Sequence, residues 1–208
     1  MFDLDDTLVD STAAIDRWFV ELAEERELGP GGLEFLRAEQ KRPVPPEVSL
    51  RAMIEHFGFP ESPAQLHKTF ARRLSYLARP FDGVLDNLRL MRERGWRTAL
   101  LTNGMETEQR PKMRDGLIDL FDVVCYAYDE AVSKPDPEIF RRVAQYAGRD
   151  LEGAWMVGDS LRHDIAGAQA AGMATIWISG GRALPADGSV PDEVVKTAAE
   201  AFHVLLAL

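Results

Sequence analysis

The sequence predicts a doubly wound α/β fold: a parallel sheet covered by helices, with a helical module inserted early in the chain. Three observations carry this. Beyond Pro80, short apolar runs alternate with helical patterns, as in successive strand–helix units. Between Leu8 and Pro80 no strand pattern occurs, and Pro43, Pro45, Pro46, Pro60 and Pro63 punctuate a series of helices. Chemistry-bearing residues follow the apolar runs, where the carboxyl ends of strands form the ligand crevice of an open parallel sheet. The expected division is an α/β core of residues 1–10 and 80–208 and a helical insert of residues 11–79.

The elements follow in order. Met1 and Phe2 are a short apolar lead into Asp3-Leu4-Asp5-Asp6-Thr7. Ser11–Glu27 reads as an amphipathic helix, capped by Ser11 or Thr12, with Ile15, Trp18, Phe19 and Leu22 at helical spacing. Gly29-Pro30-Gly31-Gly32 breaks the pattern. Further helices are expected over Leu33–Gln40, Pro46–Phe57, Ser62–Ala78 and Val84–Gly95, the last ending at a glycine. Trp96–Leu101 is a buried strand running into Thr102-Asn103-Gly104. Glu106–Gly116 reads as helix, Val123–Ala127 as strand and Pro137–Gly148 as helix. Ala154–Val157 is a strand entering Gly158-Asp159, followed by a helix over His163–Gly172 and a strand over Ala174–Ile178. Apolar strands between helices are the signature of a sheet buried on both faces.

Composition narrows the function classes. With 208 residues, the chain suits one α/β domain with an insertion and buries a sizeable core. A net charge of −10 argues against nucleic acid, which needs a basic face, but not against anionic substrates, because a bound cation reverses the local field. Cys125 is the single cysteine, which excludes an internal disulfide and a cysteine-based zinc site. No apolar run is long enough to span a bilayer, and the N-terminus carries no signal-peptide pattern, so a cytoplasmic protein with no membrane partner is expected. It would be a monomer or homodimer.

Four polar elements stand at strand ends: Asp3/Asp5, Thr102, Lys134 and Asp159/Asp164. In Asp3-Leu4-Asp5, one carboxylate is placed to attack an electrophile and the other to handle protons. Asp3-Leu4-Asp5-Asp6-Thr7, Leu101-Thr102-Asn103-Gly104, Ser133-Lys134-Pro135-Asp136-Pro137 and Gly158-Asp159-Ser160 with Asp164 resemble, in order, the four motifs of the haloacid dehalogenase-like (HAD) hydrolase superfamily. The resemblance covers essentially the whole chain, in the branch with a helical cap inserted after the first strand.

The resemblance implies a Mg²⁺-dependent phosphatase acting on a small-molecule phosphate ester. Asp3 would attack phosphorus, and Asp5 would protonate the leaving alcohol and then activate water. Thr102, with backbone N–H groups of Asn103 and Gly104, would bind phosphoryl oxygens, and Lys134 would neutralise charge. Asp3, the backbone carbonyl of Asp5, Asp159 and, through water or by orienting the others, Asp164 would hold Mg²⁺, which prefers hard oxygen ligands. Asp6 stands where many relatives have glycine and is read as backbone variation. Ser160 is read as a helix cap. Lys112 reads equally as a functional cation and as a solvated helix lysine. The insert contains Arg37, Lys41, Arg42, Arg51, Arg72 and Arg73, available in principle to an anionic leaving group but mostly expected on solvated faces.

Three alternatives stand beside this reading. A phosphomutase shares the motif set and differs in the lifetime of its aspartyl-phosphate. A 2-haloacid dehalogenase is disfavoured by Asp5 and by the Asp159/Asp164 pair. A binding module without catalysis predicts an eroded motif, and none is eroded. One expectation concerns the first strand. Two residues ahead of Asp3 cannot cross a sheet at about 3.3 Å per residue. The neighbouring strands should therefore flank a gap, which an apolar stretch upstream of Met1 would fill.

Overall fold

Why these residues fold as they do is clearest from the centre of the sheet outward. A computed structural model describes residues 1–186 and 188–208. The chain divides into two compact units, Ser11–Ala78 and the combination of Met1–Asp10 with Arg79–Leu208.

In the second unit, strands β1 (Ala99–Thr102) and β2 (Val123–Tyr126) pair in parallel. Strands β3 (Trp155–Gly158), β4 (Ala174–Ile178) and β5 (Glu193–Val195) also pair in parallel, in that order. Phe2 joins the two groups by bridging Leu100 on one side and Val157 on the other. The order across the sheet is thus β5-β4-β3-Phe2-β1-β2, and it reverses at Phe2. In such sheets the reversal opens the crevice at the strands' carboxyl ends, and Asp3 is the next residue.

The first strand is three residues of alternating hydrogen bonds. Phe2 N donates to Ala99 O at 2.8 Å and Leu101 N to Phe2 O at 2.9 Å. On the other side Val157 N donates to Met1 O and Asp3 N to Val157 O, both at 3.0 Å. Side-chain packing adds to this: the Phe2 ring lies 5.4 Å from Phe202 and 6.5 Å from Phe121. Leu101 and Met156 pack into a cluster with Ile139, Phe140 and Val143. The strand therefore persists despite its length, because both neighbours accept and donate to it.

Below it lies a cavity of about 370 Å³ with Met1, Trp96, Ala99, Ala154 and Trp155 in its wall. The Met1 amino group donates to Trp155 O at 2.7 Å, and burial pushes this amine down to about 5. Adding four apolar β-formers ahead of Met1 is therefore expected to raise the melting temperature, each buried methylene contributing about 0.8 kcal/mol. The pH dependence has a definite sign. The unfolded amine takes up a proton below about 8, where the folded one does not until about 5. The burden on the folded state is absent above pH 8 and complete below about 5. The extended chain, whose amine has become an amide, should gain more at pH 5.5 than at pH 8.5. An equal gain in melting temperature at both pH values would refute this.

The remaining core helices are α5 (Val84–Glu93), α6 (Glu106–Gln109), α7 (Pro137–Tyr146), α8 (Ala166–Ala171) and α9 (Ala198–Ala207). The structure differs from the sequence reading at several elements. The helix expected over Glu106–Gly116 stops at Gln109 and tightens into a 3₁₀ turn at Arg110–Lys112, because Pro111 supplies no amide hydrogen. The strand expected from Trp96 begins at Ala99. The helix expected from His163 begins with a π turn at Leu161–Ile165, which Ser160 caps by accepting from His163 N at 3.1 Å. Strand β5 and helix α9 were not anticipated; α9 is almost uniformly apolar, so its periodicity is faint.

The Ser11–Ala78 unit is four helices: α1 (Ser11–Glu25), α2 (Gly29–Gln40), α3 (Pro46–Phe57) and α4 (Pro63–Leu77). Their apolar faces meet around Trp18, Phe19, Leu36, Met53 and Leu66. Ser62 and Gln65 form a reciprocal capping box that starts α4. The glycine-rich stretch expected to interrupt the chain instead opens α2, with Pro30 in its first turn, where no amide hydrogen is required.

Candidate active site

Asp3 and Asp5 flank Leu4, which is fully buried. Alternation along an extended segment puts both carboxylates on the opposite side from Leu4. The chain then turns sharply: Leu8 N and Val9 N both donate to Leu4 O, and Asp6 N donates to Val9 O. The turn requires φ of 54° at Asp6. That left-handed conformation costs most residues about 1–2 kcal/mol, while glycine, Asn and Asp tolerate it. Asp6 is therefore an acceptable occupant of a glycine-like position.

Lys134 is the hub. Its ammonium donates to Asp3 Oδ1 at 2.5 Å, Asp164 Oδ1 at 2.7 Å and the Leu101 carbonyl at 2.9 Å, and the residue is 4% exposed. Its backbone is clamped too: Asn103 Nδ2 donates to Lys134 O, and Lys134 N donates to Asn103 Oδ1, each at 2.9 Å. Asn103, expected to contribute through its amide hydrogen, thus also ties the loop after β1 to the lysine. Thr102 is buried at the end of β1, and Gly104 N donates to its Oγ1 at 3.3 Å.

Carboxylate oxygens of Asp3, Asp159 and Asp164 lie within 4.8 Å of one another. Asp164 Oδ2 also accepts from Ser160 N at 2.9 Å. This carboxylate lies against Gly158, where a Cβ atom would come within 2.3 Å of it. Asp159 has its carbonyl fixed by the Trp177 indole N–H at 2.9 Å and by Arg182 Nη2 at 2.8 Å, and Arg182 also reaches its Oδ2 at 3.2 Å. The Asp5 carboxylate is outside this trio. Lys112 Nζ donates to its Oδ1 at 2.7 Å and Gln109 Nε2 to its Oδ2 at 2.9 Å.

Electrostatics follow from burial. Asp3 and Asp164 share the Lys134 ammonium and Asp159 pairs with Arg182, so three carboxylates face two cations, an excess of one negative charge around a largely desolvated pocket. Burial pushes Asp3 well above the ordinary carboxylate range, against the pull of Lys134. Asp159 is raised to about 6, by burial first and by the Asp164 charge second. Burial works against the Lys134 ammonium as well, but Asp3 and Asp164 outweigh it and hold the group above the usual lysine range. A divalent cation with hard oxygen preference fits this donor set in charge and in chemistry.

The structure thus brings together Asp3, Lys134, Asp159 and Asp164, with Thr102 at the end of the adjoining strand and Asn103 bonded to the lysine's backbone. Sequence reasoning underrated Gln109, Lys112 and Arg182. The first two stand three apart on a helical segment, a spacing that puts them on one face. Arg182 left no local signal. Among the arginines of the helical unit, Arg37, Arg42, Arg51 and Arg73 pair with Asp16, Glu39, Glu47 and Glu21.

The model of the haloacid dehalogenase-like hydrolase family matches residues 1–172. The chain belongs to that family. It is a hydrolase, and several of its curated relatives are phosphatases. It is 35% identical over 173 residues to a phosphoserine phosphatase of Thermus thermophilus, a match covering 82% of this chain and 68% of that one. It is 31% identical over 206 residues to a glyceraldehyde 3-phosphate phosphatase of Pyrococcus abyssi, covering 87% and 81%. Among solved structures, the HAD-hydrolase YfnB of Bacillus subtilis, described with bound magnesium, superposes with a TM-score of 0.77 at 23% identity, covering 99% of this chain and 96% of that one. That likeness establishes the fold. Among the described residues no helix is long and apolar enough to cross a membrane.

Proposed function

We propose that the protein is a Mg²⁺-dependent phosphomonoesterase that hydrolyses a small phosphorylated metabolite through an aspartyl-phosphate on Asp3. The observation that carries this reading is the buried ammonium of Lys134 held between Asp3 and Asp164, with an Asp159 oxygen close by. A nucleophilic carboxylate beside a fixed cation, at the switch point of the sheet, is suited to an anionic electrophile. Phosphatase relatives acting on small phosphate esters support the same class.

In this reading an Asp3 oxygen bonds to phosphorus as the bond to the substrate's alcohol oxygen breaks. Asp5 gives its proton to that oxygen. Asp5 then takes a proton from water as the water oxygen attacks phosphorus, and the Asp3–phosphorus bond breaks to release inorganic phosphate. Lys134 balances charge on the phosphoryl group, and Thr102 donates its hydroxyl to it. Asp3 and Asp159, with Asp164 orienting them, would hold Mg²⁺, which when bound supplies positive charge toward the phosphoryl oxygens. The helical unit Ser11–Ala78 would act as the cap that selects the substrate. The acidic trio disfavours the dehalogenase reading, which needs no metal.

Purified protein should release phosphate from an aryl phosphate in Mg²⁺ and stop in EDTA. Metal binding requires ionised ligands. Asp159 holds a proton below about 6 and Asp3 also binds one more readily than an ordinary aspartate. Mg²⁺ affinity should therefore rise as pH increases through about 6, and the Mg²⁺-induced rise in melting temperature should be larger at pH 8 than at pH 5.5. A shift independent of pH, or phosphate release that persists in EDTA, would refute the metal assignment.

A further inference from the structure

We infer that Gln109 and Lys112 are positioning residues that fix the orientation of the Asp5 carboxylate for proton transfer. The inference rests on the acid/base reading of Asp5 given above and adds what aims that group. The Asp5 side chain is 31% exposed and lies just beyond a strand of three residues. Both of its oxygens are instead engaged from one short stretch more than a hundred positions away: Oδ1 by Lys112 and Oδ2 by Gln109. Two donors on two oxygens stop rotation of the carboxylate plane, which one donor would not. A carboxylate oxygen has two lone-pair directions, so accepting one donor does not by itself close it to a leaving-group oxygen or a water.

Three further observations favour a dedicated arrangement over a chance surface pair. Lys112 is 5% exposed and Gln109 is 7% exposed, so neither is the solvated helix residue that its sequence position suggests. Gln109 lies across Gly104, where a Cβ atom would come within 2.1 Å of its Nε2; the glycine of the Thr102-Asn103-Gly104 loop is what admits the amide. Finally, Gln109 Oε1 is buried without a hydrogen-bond partner among the described residues. A buried acceptor without a partner carries its desolvation penalty uncompensated. Turning the amide over would set that oxygen against the Asp5 carboxylate, so donation to Asp5 decides the orientation at the expense of stability. Local stability given up at a reacting group is a mark of function.

The experiment compares kcat/KM for phenyl phosphate and para-nitrophenyl phosphate in Mg²⁺. This parameter reports the step in which the leaving group departs, and phenoxide is the poorer leaving group. Gln109→Leu and Lys112→Met are each expected to lower kcat/KM by about 10–100-fold, the range for residues that orient a reacting group. The loss should be greater for phenyl phosphate. In an Asp5→Asn background neither change should add a further loss, because groups acting through one residue are not additive. Gln109→Leu should also keep or raise the melting temperature, since it removes the unpartnered oxygen; it carries the test if Lys112→Met does not fold. Equal losses on both substrates, or losses that add fully to that of Asp5→Asn, would overturn the positioning role. If Asp5→Asn alone slows both substrates equally, the acid/base reading itself fails and this inference fails with it. If Asp5→Asn is selective but Gln109→Leu and Lys112→Met are unimpaired, only the positioning role is lost.

Discussion

Replacing Asp3 by Asn is expected to reduce phosphate release by at least about 10⁴-fold while leaving the fold intact. The size follows from removing a nucleophile from a set that acts as a unit. The intact fold follows from charge. Asp3 and Asp164 share the Lys134 ammonium, so the wild-type cluster carries more negative than positive charge before Asp159 is counted. An amide at position 3 keeps an oxygen for the Lys134 hydrogen bond and removes the surplus charge. In the absence of metal, the melting temperature of Asp3→Asn should therefore equal or exceed that of wild type. The two measurements separate catalysis from stability. Retained turnover would remove Asp3 as nucleophile, and a clear loss of metal-free stability would show that the charge balance described here is wrong.

Lys134→Met is expected to fail in both respects. It leaves Asp3 and Asp164 facing each other in a site where Asp164 is 1% exposed. Removing one partner of a buried ion pair typically costs about 3–5 kcal/mol, because the other charge stays desolvated. For a chain of this size each kcal/mol is worth about 2–4 °C, so the metal-free melting temperature should fall by roughly 6–20 °C. The loss should shrink at low pH, where the carboxylates take up protons and the repulsion disappears. Turnover should be lost at every pH, since neither a proton nor methionine replaces the ammonium beside the phosphoryl group. Stability within 1 °C of wild type at neutral pH would mean that Lys134 does not hold the cluster together.

The strands after Pro80 were legible because apolar runs of four or five residues between helical patterns are local signals. Ala174–Ile178 is a strand over the residues expected, and Val123–Tyr126 ends one residue short of the expectation. Boundaries moved where one residue's backbone decided the matter, as at Pro111. The starting segment of α2 was misread because Gly-Pro-Gly-Gly is read as a break, whereas Pro30 in a first turn is permissive. The short β5 and the apolar α9 lacked a pattern to read.

The candidate site divides in the same way. Asp3, Asp5, Thr102, Lys134, Asp159 and Asp164 were legible from the sequence alone, because each follows an apolar run or sits in a recognisable motif. Their family was legible for the same reason, since those motifs recur in order along the chain. What only the tertiary structure decided is who touches whom. Lys134 meets Asp3 across 131 positions and Lys112 meets Asp5 across 107. Periodicity reports which face of an element is apolar, and short motifs report backbone geometry over a few residues. Neither reports which side chain a folded neighbour brings within 3 Å. That is why Lys112 reads from the sequence equally as a functional cation and as a solvated lysine, and Arg182 carries no signal, until the sheet order, with Phe2 between β1 and β3, puts their partners beside them.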